Sequence, residues 1–475
     1  MKTNATSGKH LSLFGFFALT ATMVMTVYEY PTFASSGISL VFYLVVAGIF
    51  WFLPVALCAA EMATIEGWDK GGVYTWAGKS LGEKWGFANI FFQWFQITVG
   101  FVTMIYFILG ALSYVLDWPA LNNDPLVKFI GVMVIFWGLT LSQFGGTRMT
   151  AVISKFGFVV GIAIPALVLF GLTLGFFATG GISDMKLSMD AMLPDFTQLN
   201  TLVVFVSFIL AYAGIEASAS HANEMTNVKR DYPIAIILLV LLAIALNTIG
   251  GIAIGAVVPE ASLGLSTGVI QGFEGLFGHF WQDTGWIVRI IAILIAFGVC
   301  AEVSAWVVGP SWGMLEAGKD GLLPARLAQT NSADVPVNFL IVQGLIVSVW
   351  AAVLTFGGSG ANVSFFTAIS LTVVIYVVGY IIFFVAYFKM VTCHQDLPRA
   401  FEIPGGHIAK LLVALSGLVI SVLALGISFI PPAQLSSGNA ASEYLTILVL
   451  SFLITLCLPF VIYHVMRKGQ HQGST

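Results

Sequence analysis

Apolar residues along this chain come in runs of about 20 separated by short polar loops, the spacing of helices that cross a bilayer. Twelve such runs are predicted, over residues 11–36, 39–64, 86–116, 126–143, 149–177, 200–227, 231–258, 284–315, 336–356, 362–388, 408–430 and 444–466. The first and the sixth carry polar and small residues where a helix should continue. In the first, Thr22-Met23-Val24-Met25-Thr26 precedes Val27-Tyr28-Glu29-Tyr30-Pro31. In the sixth, Ala211-Tyr212-Ala213-Gly214-Ile215-Glu216 precedes Ala217-Ser218-Ala219-Ser220-His221. Lipid-exposed backbone cannot leave its amides unsatisfied, so breaks of this kind survive only where they line a cavity. Paired interruptions at matching places in two halves point to a transport site. Met25, Thr26, Ala213 and Gly214 are the backbone expected to line it.

Spans 1–5 (residues 11–178) and spans 6–10 (198–390) each begin with a broken helix. Five is odd, so the second set must cross the membrane in the opposite sense, the arithmetic of an inverted repeat. Spans 11 and 12 (408–466) are left as accessory helices. The expected fold is therefore an all-α polytopic membrane protein with 12 transmembrane helices. Alternate loops collect 16 of the 19 lysines and arginines, leaving Lys128, Lys186 and Arg289 on the other side. That bias places both termini in the cytoplasm.

Composition removes other classes. The chain is 58% hydrophobic and 9% charged, with a mean hydropathy of +0.96, against about 25% charged residues in a soluble domain. It could not cover its own surface in water. A net charge of −4 and the lack of a basic cluster give no reason to expect a nucleic-acid partner. Lys2 and Lys9 before an apolar stretch resemble a signal peptide, but the next span follows at once, so a retained helix is expected. Cys58, Cys300, Cys393 and Cys457 are widely spaced and form no CxxC or metal-like pattern. Neither a metal nor a cofactor is expected. With no HExxH and no Cys/His or Ser/His/Asp set, neither is enzymatic activity.

Ionisable side chains at membrane depth are few and each costs a few kcal/mol: Glu29, Glu61, Glu216 and Glu302. Glu302 and Trp306 are four apart and share a helix face, where a carboxylate and an indole can hold a cationic amine together. Tyr376 and Tyr380 share a face at the same spacing, suited to binding a carboxylate or gating the path. Tyr28 directly follows the first break and is the choice among its neighbours to face substrate. Glu29 is expected to pair with another helix. Glu216 reads equally as a proton site or a fixed hydrogen-bond partner, Glu61 as structural, and His221 as a helix-end polar residue.

At these residues a family resemblance emerges. Val24-Met25-Thr26-Val27-Tyr28-Glu29-Tyr30-Pro31-Thr32-Phe33, Leu57-Cys58-Ala59-Ala60-Glu61-Met62-Ala63-Thr64 and Gln143-Phe144-Gly145-Gly146-Thr147 resemble the bacterial glutamate/γ-aminobutyrate antiporters of the amino acid–polyamine–organocation (APC) superfamily. So do Gly214-Ile215-Glu216-Ala217-Ser218-Ala219, Asn223-Glu224-Met225 and Val307-Val308-Gly309-Pro310-Ser311. The resemblance runs in order over about residues 10–466. It implies a LeuT-type 5+5 fold in the bacterial cytoplasmic (inner) membrane. It also implies exchange of an external amino acid for its decarboxylation product, serving acid resistance. Residues matching Tyr28, Glu216, Glu302, Trp306, Tyr376 and Tyr380 then lie in or around the transport path, with Glu302 and Trp306 expected to read the distal group of the substrate. Implied partners are the amino acid and amine substrates, the lipid bilayer and a cytoplasmic decarboxylase acting on the same pair; a homodimer is left open. Two departures stand out. Only Arg467 to Thr475 follow the last span, where enterobacterial relatives carry a tail that closes the cytoplasmic mouth. Trp312 stands where a basic residue is expected. Tyrosine/tyramine exchange, histidine/histamine exchange and proton-coupled symport remain open alternatives.

Overall fold

The apolar runs become helices because a bilayer leaves the backbone no partner but itself. The computed structural model describes residues 12–14, 16–17, 25, 27–68, 71–145, 153, 156–216, 225–357, 360–432, 435 and 439–473. Its elements, in chain order, begin with α1 (Tyr30–Ala34), α2 (Gly37–Ala63), α3 (Val73–Leu81), α4 (Glu83–Val115) and α5 (Pro125–Gly145). Next come α6 (Phe156–Ala178), α7 (Phe205–Leu210), α8 (Val228–Val257), α9 (Gly268–Phe280) and α10 (Gly285–Lys319). The last are α11 (Val337–Phe356), α12 (Ala361–Cys393), α13 (Gly406–Ile427) and α14 (Ala440–Gly473). Among the described residues ten helices are long and apolar enough to cross a membrane, namely α2, α4–α6, α8 and α10–α14. Each matches a predicted run, with ends that differ by at most seven residues. The two remaining predicted runs are the ones with breaks. Helices α3 and α9 were not among the predicted spans; at 9 and 13 residues they are too short to cross.

Both breaks are visible in part. Residues 27–29 form a turn and α1 starts at Tyr30 with Pro31 in its first turn, where a missing N–H costs nothing. Five residues later α1 stops. The hydroxyls of Ser35 and Ser36 donate back to the carbonyls of Thr32 and Phe33, both at 2.7 Å. Gly37, at φ +60°, turns the chain into α2. In the second break α7 ends at Leu210 and residues 211–214 form a turn. Gly214 there has φ +101°, a conformation that excludes a side chain. Thr22, Met23, Val24 and Thr26 lie outside the described residues, as do Ala217 to Glu224, including His221.

Helices α4 and α12 are almost wholly enclosed by the others, and α4 packs along both α10 and α12. They form the central wall of the bundle. Two outer helices loosen by one π turn, Gly48–Phe52 in α2 and Val159–Ala163 in α6, each just before a proline, Pro54 and Pro165. Proline has no N–H to give the carbonyl four residues back. For Pro54 that carbonyl is Phe50, and the Ser416 hydroxyl of α13 donates to it at 2.8 Å. Helix α6 meets α10 through small residues. A Cβ on Gly161 would sit 2.3 Å from Gly298 Cα, and one on Gly157 would sit 2.3 Å from Ala301 Cβ. This close crossing, of the small-residue kind common between membrane helices, fixes the height of the neighbouring Glu302.

Candidate functional site

Glu216, just past the second break, is 2% exposed and has its carboxylate filled by three donors. The Tyr376 hydroxyl donates to Oε1 at 2.5 Å, the Tyr380 hydroxyl to Oε2 at 2.7 Å, and the Gln93 amide to Oε1 at 2.8 Å. Gly214 N–H donates to the Tyr380 hydroxyl oxygen at 3.0 Å, so the same tyrosine also holds the broken backbone. The predicted pairing of Tyr376 with Tyr380 on one face is thus observed, with ring centroids 4.7 Å apart. Their common target is Glu216. A carboxylate with three charge-assisted bonds is anchored: it ties the broken span to α12 and α4.

Beside this anchor lies a small cavity of about 40 Å³, lined by Tyr28, Ala213, Glu302, Trp306 and Tyr376. Four of the six predicted path side chains therefore converge with one of the predicted backbone residues. Glu216 and Tyr380 stand behind that lining. Met25 is half-buried, and Thr26 is outside the described residues. Ligand clefts usually measure about 300–1,000 Å³; this cavity is far smaller and leaves little room for a substrate as the side chains stand. The wall that sequence reasoning missed comes from α4, as Gln96, Gly100, Thr103 and Met104, with Thr372 from α12. A signal existed: Gln93, Gln96, Gly100 and Thr103 recur at three- and four-residue steps, one polar face on an otherwise apolar helix. A larger cleft of about 430 Å³, lined by residues such as Tyr114, Asp117, Glu274 and Arg289, opens at the end of α4 and the start of α10, away from the breaks.

The remaining acidic residues divide sharply. Glu29 does not pair with another helix as expected; both its carboxyl oxygens are buried without a hydrogen-bond partner. Glu302 reaches the cavity and its Oε2 is likewise unpartnered. Glu61 is the opposite case. Its Oε1 accepts from Arg399 at 2.8 Å and Lys410 at 2.7 Å, and its Oε2 from the Tyr387 hydroxyl at 2.8 Å and Ile403 N–H at 3.0 Å. It knots α2, the 394–405 segment, α12 and α13 together. Trp312, the departure noted in α10, is 38% exposed and does not line the cavity. Among the described residues no group of three or more His, Cys, Asp or Glu side chains could hold a metal ion.

Comparison with known proteins agrees with this geometry. Residues 11–453 match the family model described as amino acid permease. A glutamate/gamma-aminobutyrate antiporter of Lactococcus lactis subsp. lactis is 58% identical over 98% of this chain and 92% of the relative. One of that name from Lactococcus lactis subsp. cremoris is 59% identical over the same shares. An uncharacterized transporter of Legionella pneumophila is 33% identical over 91% of this chain and 92% of the relative. These are transporters and not enzymes, as the lack of a catalytic set led one to expect. The broken apolar spans are thus accounted for: the chain belongs to the amino acid permease family.

Proposed function

We propose that the protein is an antiporter exchanging external glutamate for internal γ-aminobutyrate in the cytoplasmic membrane of a bacterium. The observation that carries this reading is the near-complete match, at 58% and 59% identity, to antiporters of that name. In this reading the chain has 12 membrane spans with both termini in the cytoplasm. Residues 11–178 and 198–390 form a LeuT-type inverted repeat, and 408–466 add two accessory helices. Rocking of the broken-helix bundle opens the cavity to one side at a time.

The chemistry of the cavity supports a zwitterionic substrate. Glu302 presents a carboxyl beside the Trp306 indole, a combination that favours a cationic amine. We assign this pair to the amine that both substrates carry, and not to the distal group expected from sequence. An unpartnered carboxyl oxygen would repel a second carboxylate. Tyr28, which lines the same cavity directly after the first break, is the residue we assign to the side of the substrate carboxylates.

Decarboxylation of glutamate consumes a cytoplasmic proton and leaves a product one unit more positive. Exchange of product for precursor therefore exports the equivalent of one proton per cycle. Where the exchange carries net charge, the membrane potential contributes about 2.3 kcal/mol per elementary charge per 100 mV. A cytoplasmic decarboxylase acting on the same pair would keep the exchange running and confer acid resistance.

The test is uptake of labelled glutamate into proteoliposomes loaded with γ-aminobutyrate, tyramine, histamine or buffer, at pH 5 and pH 7. Rapid uptake only with γ-aminobutyrate inside is expected. Uptake into buffer-loaded vesicles driven by a pH gradient would make the protein a symporter. Failure of glutamate alongside exchange of tyrosine or histidine for its amine would replace the substrate pair.

A further inference from the structure

A serine or threonine hydroxyl inside a membrane helix ordinarily donates to a backbone carbonyl three or four residues back. Thr98, Ser113, Thr173, Thr367 and Thr372 all do so, at 2.6–2.8 Å. Thr103 on α4 does not. It is 2% exposed, and its hydroxyl has no hydrogen-bond partner among the described residues. Thr103 also lines the cavity beside the breaks. Of the residues lining that cavity, two carry a buried polar atom without a partner among the described residues: Thr103 at Oγ1 and Glu302 at Oε2. Other polar groups of the wall are committed. The Tyr376 hydroxyl donates to Glu216, the Thr372 hydroxyl to the Ala368 carbonyl, and the Gln96 amide to the Gln93 carbonyl at 3.2 Å. One turn before Thr103, Gly100 keeps the wall open. A Cβ there would lie 3.3 Å from Ile97 Cδ1 and 3.7 Å from Thr372 Cγ2, and both residues line the same cavity.

A buried hydroxyl without a partner is unfavourable until a ligand supplies one. A carboxyl and a neutral donor on the wall of one cavity suit a ligand that carries a cation and an anion of its own. Glutamate and γ-aminobutyrate share such a pair. Loss of the α-carboxylate leaves the ammonium and the distal carboxylate in place, with the same two methylenes between the amine-bearing carbon and the distal carboxyl carbon. We propose that the Thr103 hydroxyl donates to this distal carboxylate in both substrates, while Glu302 and Trp306 hold the ammonium. Thr103 is then a specificity-determining residue. A hydrogen bond to an ionised acceptor is of the stronger kind. Tyramine and histamine have no carboxylate and would leave Thr103 unpaired, and a site that bonds a polar group rejects analogues lacking it. The inference rests on the reading of the protein as a glutamate/γ-aminobutyrate exchanger.

Two isomers separate the carboxylates: γ-aminobutyrate is glutamate without the α-carboxylate, and 2-aminobutyrate is glutamate without the distal one. The test measures the external concentration of each that halves uptake of tracer glutamate into proteoliposomes loaded with γ-aminobutyrate. In Thr103→Val the value for γ-aminobutyrate should rise about 10- to 100-fold, the size of a hydrogen bond to a charged group. The KM for glutamate should rise with it, and the value for 2-aminobutyrate should stay where it is. Thr103→Ser keeps the donor and should restore wild-type values. Thr103→Val should melt no lower than wild type, because its hydroxyl has no protein partner to lose. An unchanged value for γ-aminobutyrate, an equal rise for both isomers, or a Thr103→Val protein that melts well below wild type overturns the proposal alone. Wild type that transports neither glutamate nor γ-aminobutyrate overturns the functional reading and the proposal with it.

Discussion

Removing the charge of Glu61 should cost more than any other single polar change in the described structure. Its carboxylate is fully buried, with Arg399 3% and Lys410 10% exposed in their side chains. In Glu61→Gln the neutral amide keeps one carbonyl acceptor for two cations, and its NH₂ meets the Ile403 N–H, donor against donor. Arg399 would retain the carbonyls of Leu397, His394 and Gln395 at 2.9–3.2 Å and the weakly accepting Met390 sulfur at 3.2 Å, with no anion beside it. Lys410 keeps Glu402 at 2.8 Å, although that carboxylate is 60% exposed. Breaking a buried pair by removing one partner costs about 3–5 kcal/mol. The surviving Lys410–Glu402 contact puts Glu61→Gln near the lower end, about 3 kcal/mol. The 394–405 segment should loosen first, because Glu61 and the backbone bonds Glu66 N–H to Pro398 O and Ala400 N–H to Thr64 O pin it to α2. Thermal unfolding in detergent and limited proteolysis measure both effects. The double variant Glu61→Gln/Lys410→Met, which also removes one stranded cation, should regain part of the loss. Wild-type melting of Glu61→Gln, or a double variant less stable than the single one, would refute the reasoning.

The same network gives a pH dependence. Glu402 is held below the usual carboxylate range, chiefly by the hydrogen bond from Lys410. A depressed carboxyl contributes stability that is fully present above its unfolded value and is lost as pH falls through its lowered one. The melting difference between wild type and Glu402→Gln should therefore be equal at pH 5 and pH 7, and should shrink only in stronger acid. At the site, Tyr380→Phe removes one donor to Glu216 and the acceptor for Gly214 N–H, at a cost of about 1–3 kcal/mol for the polar groups left unpaired. Exchange should slow while the binding affinity of the cavity, which Tyr380 does not line, changes less; equal losses in both would refute the anchoring role.

What could be read from sequence was what the bilayer enforces. Ten spans fall where the apolar runs put them, because length and hydropathy leave a membrane helix little freedom. The faces shared by Glu302 with Trp306 and by Tyr376 with Tyr380 follow from helical pitch alone. Helices α3 and α9 were missed because they are short and amphipathic and lack the long apolar run that announces a span. The polar stripe of α4 was missed for another reason. Gln93, Gln96 and Thr103 are uncharged and scattered singly through apolar sequence, and only their period marks them. Glu29 was misread because pairing depends on what lies opposite in space, which no local pattern contains.

The acidic residues show why counting membrane-depth charges is not enough to locate chemistry. Insertion cost is the same for Glu61, Glu216, Glu29 and Glu302, and sequence alone separates them poorly. Partners separate them. Glu61 and Glu216 have every oxygen satisfied, and moving either would break three or four bonds at once. They hold the 394–405 segment and the second break in place. Glu29 and Glu302 have nothing to lose by meeting a cation, and Glu302 sits at the cavity where one would arrive. A group that is buried without compensation in the empty site gains most when a substrate supplies the missing charge. We infer that the unsatisfied carboxyls are where binding energy is available, and that the satisfied ones are the frame that keeps them there.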